Sequence, residues 1–255
     1  MHFNLWKSLW RSVCKEGYWM MPETLLEYRS FIKRSLIFDE IKLVVDVGAG
    51  SGLSSIPFCE RGCHVVLLDL SVDALRLARE VYKRLGLYKY VDLVLGDAFH
   101  LPFRDKSMDL AFSWGLLEHF KSSEKILREK MRVARDIMAI VPYRMCPGYW
   151  LAKRLAIFLK REWPYGGEVE RDYNERDLIK EFNDAGIYTL TLKKFGRTLG
   201  LGFLISIVTS NPLFHRKIAY KRPLLRRVVF LFLVALSKLT RSYDNLVAIK
   251  QGGAL

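Results

Sequence analysis

Three aspartates stand at the ends of β-branched runs in the first hundred residues: Asp46 in "LVVDVGAGSG", Asp69 in "VVLLDLS" and Asp97 in "LVLGDAF". Between the first two lie Gly48, Gly50 and Gly52. Glycine after a strand lets the backbone approach a ligand closely. Carboxylates at strand ends accept hydrogen bonds from hydroxyls and amines. A dinucleotide, a nucleoside triphosphate and a methyl donor can all use such a turn, and the details separate them. The G-x-G-x-x-G fingerprint of dinucleotides fails, because the third glycine position counted from Gly48 is Leu53. A phosphate loop needs G-K-[ST], and no lysine lies between Lys42 and Lys83. Asp69, 21 residues beyond Gly48, is spaced to take both hydroxyls of a ribose. Asp97 suits an adenine amino group, with Phe99 able to cover the ring.

These residues need a scaffold that brings strand ends together. Short strands are expected at "IKLVVDVG", "CHVVLLDL", "YVDLVLGD", "MDLAFSWG" and "DIMAIVP", then at "IYTLTLKK" and "YDNLVAIKQ". Helices are expected over Leu53–Arg61, over residues 71–86 with Ser71 as N-cap and Gly86 at the C-terminus, and over 122–135, 148–160 and 174–186. Alternation of this kind implies right-handed crossovers and an α/β fold. The expected architecture is Rossmann-like and doubly wound: a mostly parallel seven-stranded sheet whose last strand is antiparallel. Residues 1–38 read as an N-terminal helical extension, its second helix starting at Pro22. Residues 39–255 read as the main domain, with a basic, apolar helical insertion at about 198–240. An open sheet of this type binds its ligand at the carboxyl ends of the strands.

The sequence resembles the class I S-adenosylmethionine-dependent methyltransferases, most closely the small-molecule branch that includes ubiquinone and menaquinone biosynthesis enzymes. "VVDVGAGSG" matches the first motif of that family and "VVLLDLS" its acidic second-strand motif. "GDAFHLPFRDKSMDLAFSWGLLEHF" follows the adenine-binding and fourth-strand motifs. The resemblance implies S-adenosylmethionine as cofactor, with Gly48, Ala49, Gly50 and Gly52 near its methionine part. Asp46 would sit beneath the turn, Asp69 and Leu70 on the ribose, and Asp97, Ala98 and Phe99 on the adenine. Ser113 and Trp114 would line the sulfonium end, and Tyr18 would reach the cofactor from an N-terminal lid. No metal is implied.

Methyl transfer from a sulfonium needs alignment and exclusion of water, and a base only where the acceptor loses a proton. His119 in "LLEHF" is the first candidate for that base and Glu118 the second; a histidine held by Glu118 or by a helix end is the other reading of the same residue. Tyr143, Tyr165 and Gly166–Gly167 follow the fifth strand, where an acceptor pocket would be built.

The 255 residues carry a formal charge of +14, of which Lys193 onward supplies +11 with Asp244 as the single acid. "PLLRRVVFLFLVALSKLTR" flanks nine apolar residues, Val228–Leu236, with cations. That run is too short to span a bilayer, but fits a membrane interface, a roof over a lipophilic acceptor, or a buried helix. A nucleic-acid acceptor is allowed by charge. It is disfavoured because strand four ends in "FSWG" rather than an Asn/Asp-Pro-Pro-aromatic motif, and because Cys146-Pro147 reverses the Pro-Cys order of cytosine-C5 enzymes. The four cysteines show no zinc spacing, and nothing at the N-terminus reads as a signal peptide. A cytoplasmic enzyme with a small-molecule acceptor is therefore the expectation, and a non-catalytic cofactor-binding protein the alternative.

Overall fold

The structure is a computed structural model that describes residues 22–35, 40–158, 171, 173–196 and 243–252. Tyr18, Tyr165, Gly166, Gly167, the helix expected over Pro223–Leu239 and the rest of the 198–240 insertion lie outside the described residues.

Among the described residues seven strands form one sheet: β1 (Leu43–Val47), β2 (His64–Asp69), β3 (Val91–Leu95), β4 (Met108–Trp114), β5 (Ala134–Pro142), β6 (Thr191–Phe195) and β7 (Asn245–Lys250). Their order is β3-β2-β1-β4-β5-β7-β6. The pairs among β1 to β5 are parallel, and β7 runs antiparallel to both β5 and β6. The direction of winding reverses between β1 and β4, so their carboxyl ends frame the crevice where such sheets take ligands. Asp46 stands in that crevice, in register with Leu67 of β2 and Phe112 of β4.

Both sheet faces are covered, which is why the central strands read as continuous apolar runs. One face carries α1 (Pro22–Ser35), α2 (Ile56–Cys59) and α3 (Val72–Arg84) over Val44, Leu67, Leu110, Phe112 and Ile140. The other carries α4 (Glu124–Val133) and α6 (Glu175–Asp184) over Ile137, Ala139 and Val141. A further helix, α5 (Pro147–Phe158), follows β5. Tyr28 and Phe31 of α1 join Trp114 and Phe195 in an aromatic cluster, with the Tyr28 and Trp114 rings 4.7 Å apart.

Local chemistry explains most boundaries. Ser71 caps α3 by accepting from Ala74 N at 3.3 Å. Asn174 and Asp177 form a reciprocal capping box on α6. Three boundaries differ from expectation. The helix after the glycine turn is a 3-10 turn, Leu53–Ser55, followed by only Ile56–Cys59. Helix α4 stops at Val133, because Ala134 is already extended and pairs with Met108. Strand β6 starts at Thr191 rather than near Ile187, because Ile187 N donates to Phe182 O at 2.9 Å and closes the end of α6.

Candidate active site

The glycine turn is built downward onto β2 and α3. Gly48 N and Ala49 N both donate to Leu68 O, at 2.9 and 3.0 Å, and Gly50 N donates to Asp69 Oδ2 at 2.8 Å. Gly48, Gly50 and Gly52 all adopt left-handed φ, 73°, 56° and 71°, which side-chain-bearing residues rarely take. Space is short as well: a Cβ at Gly52 would meet Leu67 Cδ1 and Tyr82 Cε2 at 2.8 Å. Tyr82 Oη donates to Gly52 O at 2.7 Å, pinning the turn from α3.

Asp46 lies beneath this turn at 1% exposure. Its Oδ2 accepts from Ser55 Oγ at 2.6 Å and Ser54 Oγ at 3.1 Å, while Oδ1 is buried without a partner in the protein. Burial pushes its carboxyl up to about 6, against the Ser55 and Ser54 hydrogen bonds and the Lys130 cation. Lys130 of α4 is wholly buried, donating to Ser113 Oγ at 2.8 Å and Met138 O at 3.2 Å. Burial pulls its ammonium down to about 7, with Asp46 opposing.

Asp69 uses both oxygens locally, accepting from Gly50 N and from Ser71 N at 2.8 Å. Burial raises its carboxyl, and those backbone donors pull it back. Leu70 beside it is half exposed. The end of β3 is tied to the same place, since Gly96 N donates to Asp69 O at 3.1 Å. Asp97 follows, accepting from Phe99 N at 2.9 Å, and its carboxylate is half exposed. Ala98 packs partly into the core, and Phe99 stands edge-on to Phe120 with centroids 5.1 Å apart. The turn, Asp46, Asp69, Asp97 and Phe99 thus converge on the carboxyl ends of β1 to β3.

At the end of β4 the residues divide between the two faces. Ser113 Oγ is turned to α4 and Lys130, whereas Trp114 joins the aromatic cluster of α1. The 3-10 turn Leu117–His119 follows, with Glu118 buried and His119 half-buried. Arg171 clamps this turn. Its guanidinium donates to Leu117 O at 3.1 Å, to Ser123 Oγ at 2.8 Å, to Tyr173 Oη and to Glu181, while Arg171 N donates to Glu118 O at 2.8 Å. Burial works against the Arg171 charge, but Glu181, Tyr173 and Glu118 raise it above the ordinary guanidinium value. Beyond β5, Tyr143 Oη donates to Glu175 Oε1 at 2.9 Å and accepts from Lys194 Nζ at 3.0 Å.

Ser54, Ser55, Tyr82, Lys130 and Arg171 hydrogen-bond the residues of this candidate site, and sequence reasoning did not single them out. Lys130 left a readable trace: it interrupts the apolar stripe Ile126, Leu127, Val133 at helical spacing. Among the described residues, no group of three or more His, Cys, Asp or Glu is arranged to hold a metal ion.

Residues 45–137 match the methyltransferase domain family. A demethylmenaquinone methyltransferase of Thermobifida fusca is 40% identical over 96 residues, covering 37% of this chain and 39% of its own length. A chloroplastic 2-methyl-6-phytyl-1,4-hydroquinone methyltransferase of Oryza sativa is 29% identical over 189 residues, 72% of this chain and 49% of its own. The chain therefore spans less than half the length of either of these relatives. The crystal structure of a SAM-dependent methyltransferase from Aquifex aeolicus has the same fold, with a TM-score of 0.52 at 20% identity over 73% of this chain and 91% of that one. Residues 45–137 are thus similar to the methyltransferase domain family, on a sheet with the fold of a SAM-dependent methyltransferase.

Proposed function

We propose that this chain moves the methyl group of S-adenosylmethionine onto a small lipophilic, aromatic acceptor of the hydroquinone type. The observation that carries the cofactor reading is the turn of three left-handed glycines bonded to Asp69, with an unpartnered Asp46 Oδ1 below it. An unpaired buried carboxylate oxygen is costly unless a ligand donor completes it, and the cofactor's ammonium is such a donor. Asp69 has lone pairs left for ribose hydroxyls, Asp97 for the adenine amino group, and Phe99 presents an apolar wall to the ring.

The bound sulfonium supplies an already activated methyl group. The chain's part is to align the acceptor and to keep water out. A hydroquinol must lose a proton as it is methylated, and His119 is the group we assign to take it. Glu118 is buried and lies in the field of Arg171, which supports a positioning role for it.

The acceptor class is supported by the two quinol-type relatives and by α5. Trp150, Leu151, Ile157 and Phe158 are all exposed, the last two at 78% and 81%, and their spacing puts them on one helical face. Arg154 lies on the same face, its guanidinium 4.2 Å from the centroid of the Trp150 ring. An apolar stripe with cations suits contact with an anionic lipid surface from which such an acceptor would be drawn. The basic segment 198–240 is assigned to the same peripheral contact. Among the described residues, no helix is long and apolar enough to cross a membrane.

Labelled-methyl transfer tests the reading with three acceptors offered in parallel: a demethylated quinol, a water-soluble small-molecule pool, and total RNA. Label in the quinol is the expected result. Label in RNA alone would replace this acceptor class with the nucleic-acid one. Cofactor binding without transfer to any of the three would favour a non-catalytic binding protein. Sedimentation with vesicles containing anionic lipid tests the surface contact separately, and no binding at low salt removes it.

A further inference from the structure

The segment between β3 and β4 forms no helix, so its backbone groups need partners of other kinds. Its near end is tied to β2 by Gly96 N on Asp69 O. Asp97 to His100 then make a turn, closed by His100 N on Asp97 O at 3.0 Å. This turn carries Asp97 and Phe99, the proposed contacts to adenine. Beyond it the chain is held by α4. Glu129 Oε2 accepts from Leu101 N at 2.8 Å, and Arg132 donates to Leu101 O and to Phe103 O, each at 2.8 Å. Arg132 also forks onto Glu129, Nε to Oε1 and Nη2 to Oε2, both at 2.8 Å, and reaches Asp105 Oδ1 at 2.7 Å. Every N–H of the guanidinium is thereby used. Hydrogen bonds from Arg132 hold the Glu129 carboxyl below its ordinary value. Leu101 itself is buried, in the same apolar cluster as Val45 and Val47 of β1.

Lys125 stands one turn before Glu129 on the same flank of α4. It donates to His100 Nε2 at 2.8 Å, and its Nζ is 6.0 Å from the centroid of the Phe99 ring. An ammonium offers only hydrogens, so with Nε2 accepting, the imidazole carries its own hydrogen on Nδ1, which faces Asp97 Oδ2 at 3.7 Å. A loop that merely linked two strands would need no such support; a loop that holds a ligand does.

We infer that Glu129 and Arg132 are positioning residues for the base of the cofactor: their fork fixes both backbone groups of Leu101, so that the Asp97–His100 turn is set for adenine before any ligand arrives. Lys125, through His100 and Phe99, supports the same turn. The inference rests on the cofactor reading above, and adds that the choice of base is set from α4.

Calorimetric titration with S-adenosylhomocysteine and with S-inosylhomocysteine tests this on the full chain. The second ligand has a carbonyl in place of the amino group from which Asp97 would accept. Wild type should prefer the adenine ligand by about ten- to a hundredfold, the range for one hydrogen bond to a charged group. In Arg132→Met and in Glu129→Gln that preference should shrink to less than about threefold, through weaker binding of the adenine ligand. Arg132→Lys should not restore it, because an ammonium cannot reproduce the fork. Arg128→Met is the control. It loses the bond from the same helix to Asp184 O at 3.2 Å, and should keep the wild-type preference whatever its thermal midpoint.

Lower thermal midpoints in the Glu129 and Arg132 variants with an unchanged base preference would make the fork a structural clasp only and overturn the inference. If those variants fail to fold, hydrogen exchange on wild type decides. The Leu101 amide should exchange slowly without ligand, and S-adenosylhomocysteine should change its rate by less than about threefold. Slow exchange that appears only with ligand would mean a turn ordered by the ligand, and overturns the inference as well. Equal binding of both ligands by wild type removes this inference only, whereas binding of neither removes the cofactor reading with it.

Discussion

The two sides of the crevice between β1 and β4 are held together differently. On the proposed cofactor side, partners are near in sequence: Asp46 and Ser55 are 9 residues apart, Gly50 and Asp69 are 19. On the proposed acceptor side they are distant: Leu117 and Arg171 are separated by 54 residues, Tyr143 and Lys194 by 51, Cys146 and Asp244 by 98. The first side is a set of strand-end turns that a parallel sheet assembles as it forms. The second is a set of cross-links between segments that meet only in the finished fold. Substitutions on the first side should therefore damage binding, and on the second stability.

Asp69→Ala makes the sharpest test of the first half. It removes the acceptor for Gly50 N and Ser71 N as well as the proposed ribose contact. Hydrogen bonds to a charged group contribute roughly 1.5–3 kcal/mol each, so S-adenosylmethionine affinity should fall by at least about a hundredfold by calorimetry. Arg171→Ala tests the second half. It takes the guanidinium away from the mostly buried Glu181 carboxylate, while Leu117 O keeps Ser123 Oγ as a donor at 3.0 Å. Loss of one partner of a buried pair costs about 3 kcal/mol, to be read from denaturant unfolding, while cofactor affinity should move less than about threefold. Were Arg171→Ala to weaken the cofactor as much as Asp69→Ala, the division between the two sides would collapse.

Legibility in the sequence follows the same division. The turn and its three aspartates could be read because each motif is continuous and lies within a few residues of a strand end. Seven strands, and the parallel sense of the first five, were legible from their alternation with helices. The end of α4 was not, because Val133 and Ala134 carry no Gly or Pro between helix and strand; pairing with Met108 sets the boundary. Arg171 left no trace, since its meaning depends on Leu117, Ser123 and Glu181 arriving from three separate segments. Lys130 went unread: it interrupts the apolar stripe of α4, and its bond to Ser113 joins segments 17 residues apart.

Tyr82→Phe sits between the two regimes, because α3 reaches back to the turn across 30 residues. It removes one buried hydrogen bond to Gly52 O and leaves the ring that the turn packs against. A loss of about 1 kcal/mol of stability is expected, with a severalfold weaker cofactor affinity as the turn loosens. A stability loss with no change in affinity would move Tyr82 to the stability side of the comparison.

The smallest effect is expected at Lys194→Met, on the acceptor side. Burial would raise the Glu175 carboxyl, but hydrogen bonds from Lys194 and Tyr143 and the Lys194 charge carry it below its ordinary value. The pair is about one-third exposed on each side, so solvent screening holds its contribution to about 0.5 kcal/mol. A depressed carboxyl contributes stability that is full above its unfolded value, about 4.5, and disappears as pH falls through the folded value. Wild type and Lys194→Met should therefore differ slightly in urea midpoint at pH 7 and converge at about pH 3. A difference that persisted into acid would mean that the Lys194 stem on the Tyr143 ring, 4.6 Å from Nζ to the centroid, matters more than the ion pair.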